Sequence, residues 1–342
     1  RYRFIAGVDS QAYAPYVCCP VLMLCSTNDF DFDYDRAYDT FSRINPQYLG
    51  ESVIAYSLRY SASIGANSVN DMFLFLNKHL KNHQVFVPKP AEVTVEVDED
   101  SNLIARVTVD THGVVDKCDV FLAEDCQNSA LRDWGICAPK DELKREYFLN
   151  IYEKSATIFV LCRVRYFNGF TVWSKVAVKK ISGKFRNMQK KCNVLCSGNK
   201  AVDAFSIADP FSCAVGGIFL AEEDALPAIV TKAKGVKGVY SPFGLTTFRL
   251  CNPQFAASGT SVLSTDVFCD EQADLIFTLR DLTGGEDYVC AVNVVGGVWQ
   301  NVILESKMFK TANGVQLADF LGDMKMSITC RTDFAINNVM WL

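Results

Sequence analysis

Three aspartates in one short segment are the first residues whose spacing could support chemistry. Asp29, Asp31 and Asp33 occupy alternate positions, as do the first three ligands of an EF-hand calcium loop. That loop also needs glycine at its sixth position and glutamate at its twelfth, where this chain has Tyr34 and Thr40. The mismatch favours a solvated acidic loop, with Asp33 near the start of a helix, over a calcium site.

Histidine is the second residue type that could carry chemistry, because a catalytic triad needs an imidazole to move the proton of its serine. The chain has three histidines. We expect His79 and His83 at the end of a helix and His112 in a turn, each without a neighbouring acid or nucleophile. The G-x-S-x-G signature of a nucleophilic serine is absent, since the nearest string, at 259–263, lacks the second glycine.

Cysteine is abundant, with 14 residues. Several occur where a buried strand would take a small apolar side chain, for example Cys25, Cys162 and Cys290. The C-x-x-x-C pair Cys192 and Cys196 has no second Cys or His pair at zinc-site spacing. We therefore predict reduced, buried thiols, with neither a metal site nor a cofactor.

The elements that would position these residues fall into three segments. Residues 1–87 alternate apolar runs with helical patterns: Pro20–Cys25 and Ser52–Tyr56 are predicted strands, and Tyr34–Arg43 and Val69–Lys81 are predicted helices. After the VPKP string at Val87–Pro90 the apolar period becomes two. Six or seven short strands then predict a β-sandwich over 88–183.

Strand patterns continue over 184–342, which predicts a two-sheet jelly roll. The clearest predicted strands are Ser261–Cys269, Leu275–Leu279, Tyr288–Val295, Val298–Leu304 and Ala335–Trp341. Gly296-Gly297 separates two valine-rich runs, and this pattern predicts a hairpin.

The first segment also resembles a known family. The strings CPVLMLCSTNDFDF, YSLRYSASIG and NDMFLFLNKHLK are similar to the last third of α/β hydrolases related to acetyl-xylan esterases and dienelactone hydrolases. The resemblance covers about a quarter of the chain. It implies a multidomain fold class: a truncated α/β unit, the C-terminal portion of an α/β hydrolase, followed by two all-β domains. Because Arg1 begins the chain without Met, we expect the missing half of the hydrolase domain upstream.

The resemblance assigns roles to three positions. Asp29 stands where the family has the acid of its triad, and the catalytic histidine should follow the last strand at position 62 or 63. The chain has Ala62 and Ser63 there. Neither side chain can replace an imidazole as a base near neutral pH, so Asp29 is interpreted as a vestigial acid and this chain is predicted to be inactive as a hydrolase.

The two later segments resemble modules that accompany carbohydrate-active proteins. The middle one is similar to small immunoglobulin-like domains, and the last one to galactose-binding-like jelly rolls, through GGVWQNVILESKMFK and FAINNVMWL. The resemblance implies that Trp299 and Trp341 could stack on a sugar ring. Aromatic residues on strands more often belong to the core, and that alternative stays open.

Composition narrows the partners. The net charge is −5, with 49% apolar and 21% charged residues. No basic stripe is present for nucleic acid, and no run of about 18 apolar residues could span a membrane. The expected partner is a carbohydrate or acylated glycan. Two functions follow: a non-catalytic protein whose β domains bind glycan or protein, or the C-terminal part of an active carbohydrate-ester hydrolase. Cysteine usage favours the cytoplasm without fixing the location.

Overall fold

The computed structural model describes residues 9–29, 33–59, 65–198, 202–208, 214–215, 218–219, 226–281 and 285–342. The first part holds four helices and a two-stranded parallel sheet among these residues. The helices are α1 (Ser10–Tyr13), α2 (Tyr34–Phe41), α3 (Pro46–Leu49) and α4 (Ala66–Lys81), and the strands are β1 (Leu22–Ser26) and β2 (Val53–Ser57). Asp33 caps α2 by accepting a hydrogen bond from the Asp35 N–H at 3.1 Å.

The middle part is a sandwich of two antiparallel sheets. One sheet has the order β3-β4-β8-β7; the other has the order β10-β9-β5-β6, with β11 also paired to β9. The strands are β3 (Glu92–Val97), β4 (Leu103–Thr108), β5 (Val115–Glu124), β6 (Gly135–Ile136), β7 (Pro139–Asp141), β8 (Glu146–Phe148), β9 (Thr157–Tyr166), β10 (Thr171–Trp173) and β11 (Ala177–Lys180).

The last part is a second sandwich. Its six-stranded sheet has the order β16-β17-β24-β19-β22, with β12 on β24, and its five-stranded sheet has the order β13-β18-β23-β20-β21, as far as the described residues show. The strands are β12 (Val194–Cys196), β13 (Ser206–Ile207), β14 (Ala214–Val215), β15 (Ile218–Phe219), β16 (Ala228–Thr231), β17 (Lys237–Tyr240), β18 (Leu245–Thr247), β19 (Leu263–Cys269), β20 (Ala273–Asp281), β21 (Glu286–Val294), β22 (Gln300–Leu304), β23 (Met324–Thr329) and β24 (Phe334–Trp341).

Period-two patterning explains the second sandwich. In β20, Leu275, Phe277 and Leu279 are buried and the residues between them are not. They meet side chains such as Val267 and Ile336 from the facing sheet in one core. Strand β20 therefore buries one face and leaves the other face nearer the surface, whereas β19 and β24 are buried along most of both faces.

Strands β5 and β9 of the middle sandwich are buried on both faces. One face, with Val120 and Cys162, belongs to the core of the sandwich. The opposite face, with Phe121, Phe159 and Leu161, packs instead against apolar side chains of the first part, including Ile54 and Tyr56. The first part therefore covers one outer surface of the middle sandwich.

The predicted fold class, with its truncated α/β-hydrolase unit, is wrong. The molecule is mainly β, with 40% strand and 17% helix, and the parallel sheet of the first part has two strands among the described residues. The apolar runs of β1 and β2 suggested a larger parallel sheet. They are satisfied differently: Cys25, Ile54 and Tyr56 contact the middle sandwich, while Leu24 and Val53 pack beneath α4.

The described strands of the two sandwiches lie within 92–180 and 194–341, whereas the domain boundaries at 87/88 and 183/184 stay predictions. The five strands predicted as the clearest in the last segment are confirmed, with shifts of one or two residues at most ends. The hairpin predicted at Gly296-Gly297 is wrong, because β21 pairs in the five-stranded sheet and β22 in the six-stranded sheet. Over the described part of the chain, every helix is too short or too polar to cross a bilayer.

Candidate functional site

The outer face of the six-stranded sheet carries Trp299, the residue predicted from sequence to contact a ligand. The turn before it crosses between the two sheets and is held tightly: the Gly297 N–H donates to the Cys269 carbonyl at 2.8 Å. A Cβ on Gly296 would lie 2.6 Å from the carbonyl carbon of Glu271. This close approach needs glycine, and it fixes where the Trp299 ring leaves the turn.

The Trp299 ring lies on β17, over a residue without a side chain. A Cβ on Gly238 would lie 2.7 Å from Trp299 Cη2, so the ring occupies the space that a side chain would fill. The ring is half-buried, and its centroid lies 5.6 Å from that of Phe268 on β19. The Trp299 Nε1 is buried and has no hydrogen-bond acceptor among the described residues.

Tyr240 completes an aromatic patch with Phe268 and Trp299. Lys232 links the rings, because its Nζ lies 5.5 Å from the centroid of Phe268 and 6.0 Å from that of Tyr240. The same ammonium group contacts both carboxylate oxygens of Asp270 at 2.9 Å. The patch therefore has a cation and a carboxylate at its edge.

The Tyr240 hydroxyl donates to the Asp333 carboxylate at 3.1 Å. Burial raises the pKa of Tyr240, and the hydrogen bond to Asp333 raises it further. The phenol is therefore neutral across the physiological range and can act as a hydrogen-bond donor or acceptor toward a ligand.

A row of hydroxyl, carboxylate and amide groups continues from the patch along the same face of β19. Asp266 stands two residues before Phe268, and Ser264 four residues before it, so all three share a face. Asp266 accepts hydrogen bonds from Asn301 at 3.0 Å and from Asn338 at 2.7 Å. In this polar row (Ser264, Asp266, Asn301 and Asn338) Ser264 is buried, Asp266 and Asn338 are half-buried and Asn301 is exposed.

Trp341 occupies a different environment. It is 4% exposed and contacts the core cluster of the second sandwich, including Phe320 at a centroid distance of 5.2 Å. Its Nε1 donates to the Phe255 carbonyl at 2.7 Å. Both faces of the ring contribute to packing, and this position offers a sugar no free aromatic face.

The residues assigned by the hydrolase resemblance lie in the first part of the chain, far in sequence from the aromatic patch. Asp29 lies three residues after the end of β1 and is half-buried. Ala62 and Ser63 lie outside the described residues. Of the histidines, His112 is exposed and contacts its neighbour Asp110 through Nδ1 at 2.7 Å. No group of three or more His, Cys, Asp or Glu side chains suited to a metal ion occurs where the structure describes the chain.

Sequence reasoning predicted Trp299 as a ligand contact and did not include its neighbours Lys232, Gly238, Tyr240 and Phe268. One signal was available in the sequence: Ser264, Asp266 and Phe268 alternate with Leu263, Thr265 and Val267, so Phe268 shares a face of β19 with Ser264 and Asp266. The pairing of β17 and β19 with β24, which brings the other partners to this side chain, has no local signature.

Comparison with known proteins gives distant structural likenesses. No protein-family model and no curated protein matches the chain. A family 11 carbohydrate-binding module of a cellulosomal cellulase of Clostridium thermocellum is 13% identical, with 34% of this chain and 79% of that chain covered and a TM-score of 0.25. A carbohydrate-binding module of the β-sandwich superfamily is 12% identical, with 74% of this chain and 98% of that chain covered and a TM-score of 0.22. A family 16 carbohydrate-binding module is 11% identical, with 34% of this chain and 84% of that chain covered and a TM-score of 0.22. Scores this low carry no argument about this chain.

Proposed function

We propose that this protein is a non-catalytic carbohydrate-binding protein whose second β-sandwich binds a neutral glycan on the outer face of its six-stranded sheet. The observation that carries the proposal is the aromatic patch of Tyr240, Phe268 and Trp299 beside the polar row on one surface. A sugar ring has an apolar C–H face and a rim of hydroxyl groups. It therefore needs an aromatic face together with donors and acceptors alongside.

The spacing along β19 fits a chain of sugars rather than a single ring. Residues two apart on one face of a strand are separated by about 6.7 Å. Phe268 and Ser264 are each 5% exposed, so the accessible surface in this direction consists of the half-buried Trp299 ring beside Phe268, the Asp266 carboxylate and the exposed Asn301. We propose that one sugar stacks against Trp299 and that its neighbours bind the polar row through Asp266 and Asn301.

The charges at the site favour a neutral ligand. Lys232 is already paired with Asp270, and Asp266 is hydrogen-bonded by two amides. An anionic glycan would be repelled by the carboxylates of Asp266, Asp270 and Asp333. The ammonium group of Lys232 would not offset this repulsion, because it is paired with Asp270.

The test is affinity electrophoresis and titration calorimetry of the whole chain against neutral soluble polysaccharides, including xylan, arabinan and mixed-linkage β-glucan. Trp299→Ala should weaken binding by about 10- to 100-fold, in the range of a stacked aromatic anchor. Phe167→Ala, which removes an aromatic side chain that is 71% exposed on the middle sandwich, is the matched control and should bind as the wild type does. Absence of binding to every neutral polysaccharide, or equal losses in both variants, would refute the proposal.

A further inference from the structure

A cavity of about 500 Å³ opens at one end of the middle sandwich, far from the aromatic patch in sequence. It is formed by the first half of β5, by β7 and by the turn between β7 and β8. The groups that matter for chemistry are Cys118, Arg145 and Tyr147, and the wall also includes Cys137 and Pro139. The cavity thus contains a half-buried thiol, and its wall includes the cations Lys117 and Arg145.

Cys118 has a second thiol as its immediate neighbour. Its Sγ lies 3.6 Å from the Sγ of Cys162 on β9. Cys162 is fully buried, so Cys118 is the member of the pair that a molecule in the cavity can reach. The strand register places Cys118 opposite Val164 and Cys162 opposite Val120, a diagonal relation in which the Cα atoms are separated by about 7–8 Å. That spacing is unfavourable for a disulfide between the two residues.

The surroundings favour the thiolate form of Cys118. The hydrogen bond from Cys162 lowers the pKa of Cys118, burial opposes this effect, and Tyr147 and Arg145 lower the pKa further. Burial raises the pKa of Cys162, which therefore keeps its proton and donates it. The carboxylate of Asp119 acts in the opposite direction, but it is paired with Arg163 at 2.7 Å.

Two cations line the cavity, Lys117 and Arg145. The Lys117 Nζ contacts the Asp119 carboxylate at 3.2 Å, so Arg145 is the cation with capacity to bind an anion. The Arg145 guanidinium is half-buried and makes no hydrogen bond or ion pair with the part of the chain that the structure describes. Its backbone φ of 52° places it in the left-handed region, which a non-glycine residue adopts at a cost. Three acidic side chains also line the cavity: Asp116, Asp119 and Glu142. Glu142 is exposed.

We propose that Cys118 is a thiol-modification site that reacts with small anionic disulfides, with Arg145 binding the anionic group and Cys162 positioning the thiolate. In the reaction the Cys118 thiolate attacks one sulfur of a disulfide R–S–S–R. The S–S bond of the reagent breaks, a new S–S bond joins Cys118 to one R–S group, and the other R–S⁻ leaves as a thiolate and takes a proton from water. The disulfide reagent is the oxidant, so the electrons balance.

The experiment exposes the whole chain to dithiodiglycolate, which is anionic, or to cystamine, which is cationic and of similar size. Mixed disulfides are then located by peptide mass spectrometry as a function of time and pH. Cys118 should be modified by dithiodiglycolate about ten-fold faster than the exposed Cys19 at neutral pH, because Arg145 attracts the anionic reagent and the Cys162 thiol stabilises the Cys118 thiolate. It should also prefer dithiodiglycolate to cystamine by about ten-fold, through attraction to Arg145. This measurement needs no variant.

Three variants separate the roles. Arg145→Gln should remove the preference between the two reagents. Cys162→Ala should move the pH midpoint of Cys118 labelling upward, since the donor to the thiolate is lost, whereas Cys162→Ser should retain the midpoint because a hydroxyl group also donates. The circular dichroism of each variant controls for folding.

Four results would overturn the proposal: slower labelling of Cys118 than of Cys19 in the folded protein, equal rates with both reagents, an unchanged midpoint in a folded Cys162→Ala variant, or loss of two hydrogens without an adduct. The last result would mean that Cys118 and Cys162 close a disulfide of their own.

Discussion

Two clusters of aromatic rings and cations occur in this molecule, and they differ in what covers them. The first, the interface cluster, lies between the first part of the chain and the middle sandwich. It consists of Tyr34, Tyr56, Phe121, Trp134, Phe159 and Trp173 with Arg132 and Arg163. The second is the aromatic patch on the second sandwich with Lys232. Both contain close contacts between a cation and an aromatic ring.

In the interface cluster every ring is buried on all sides. Arg132 is 1% exposed, and its guanidinium carbon lies 3.8 Å from the centroid of Phe159. The same guanidinium donates to both carboxylate oxygens of Asp35 at 3.0 and 2.8 Å. These contacts join two parts of the chain that are distant in sequence, and their role is structural.

In the aromatic patch Phe268 is also buried, at 5% exposed, but the groups around it stay at the surface. Lys232 is 18% exposed and Asp270 is 45% exposed in their side chains, and Trp299 and Tyr240 are half-buried. The types of contact are the same as in the interface cluster. The difference is that the aromatic patch has one side that no other part of the described chain covers. The comparison teaches that a cluster of rings and cations indicates a ligand site only where tertiary structure leaves one side open.

The largest expected effect is in the interface cluster. Arg132→Ala removes a buried cation from Asp35 and from the ring of Phe159, and should lower the free energy of unfolding by about 3 kcal/mol. Arg36→Ala, which removes a guanidinium that is 77% exposed and contacts Asp33 at 3.5 Å, should change it by less than about 0.5 kcal/mol. Urea denaturation measures both. Equal effects would mean that the interface does not depend on its buried cation.

The next effect is in the aromatic patch and concerns binding. Gly238→Ala places a methyl group 2.7 Å from Trp299 Cη2 and 3.0 Å from the Ile336 carbonyl oxygen, so the indole must move. Binding of a polysaccharide that the wild type recognises should weaken by about ten-fold, or about 1.4 kcal/mol. Gly259→Ala, where a Cβ meets no atom within 4 Å, is the control. Wild-type affinity in Gly238→Ala would exclude the Trp299 face as the platform.

The smallest expected effect is electrostatic, and it concerns the contribution to stability of a buried carboxyl group in the first part of the chain. Asp71 on α4 is 0% exposed; its Oδ1 accepts the Thr171 N–H at 2.8 Å, while its Oδ2 and the Thr171 Oγ1 have no partner among the described residues. Burial raises the pKa of Asp71 well above its ordinary value, against the opposing effect of the Thr171 N–H. Its stabilising contribution is therefore complete below the unfolded-state pKa and is lost as pH rises toward the folded-state pKa.

Asp71→Asn removes this dependence and offers an N–H₂ group to Thr171. The variant should be more stable than the wild type by about 1 kcal/mol at pH 7, and the difference should shrink at about pH 4, where the wild-type carboxyl is protonated more fully. Denaturant midpoints at the two pH values measure it. A difference that grows toward acid would contradict the sign of the pKa shift.

The sequence by itself determined the strands and one face of each. Leu275, Phe277 and Leu279 occupy alternate positions, with Asp274, Thr278 and Arg280 among the residues between and beside them. This pattern predicts a half-buried strand, because side chains alternate across a sheet. For this reason the strands predicted in the last segment are confirmed. In the first segment the predicted strands also occur, as β1 and β2, but the fold class inferred from them is wrong. Their apolar runs require apolar cover on both sides, and nothing local states whether further strands or another sandwich supplies it.

Tertiary structure alone decided which tryptophan is available. Trp299 and Trp341 both stand next to valine-rich or apolar strand sequence and were equivalent as predictions. Trp341 faces the space between the sheets and hydrogen-bonds Phe255, whereas Trp299 follows a glycine turn that crosses to the other sheet and rests on Gly238. The difference depends on pairings between strands far apart in the chain, such as β19 with β24. Local sequence fixes which way a side chain points relative to its own strand, but not whether that direction leads into the core or into solvent.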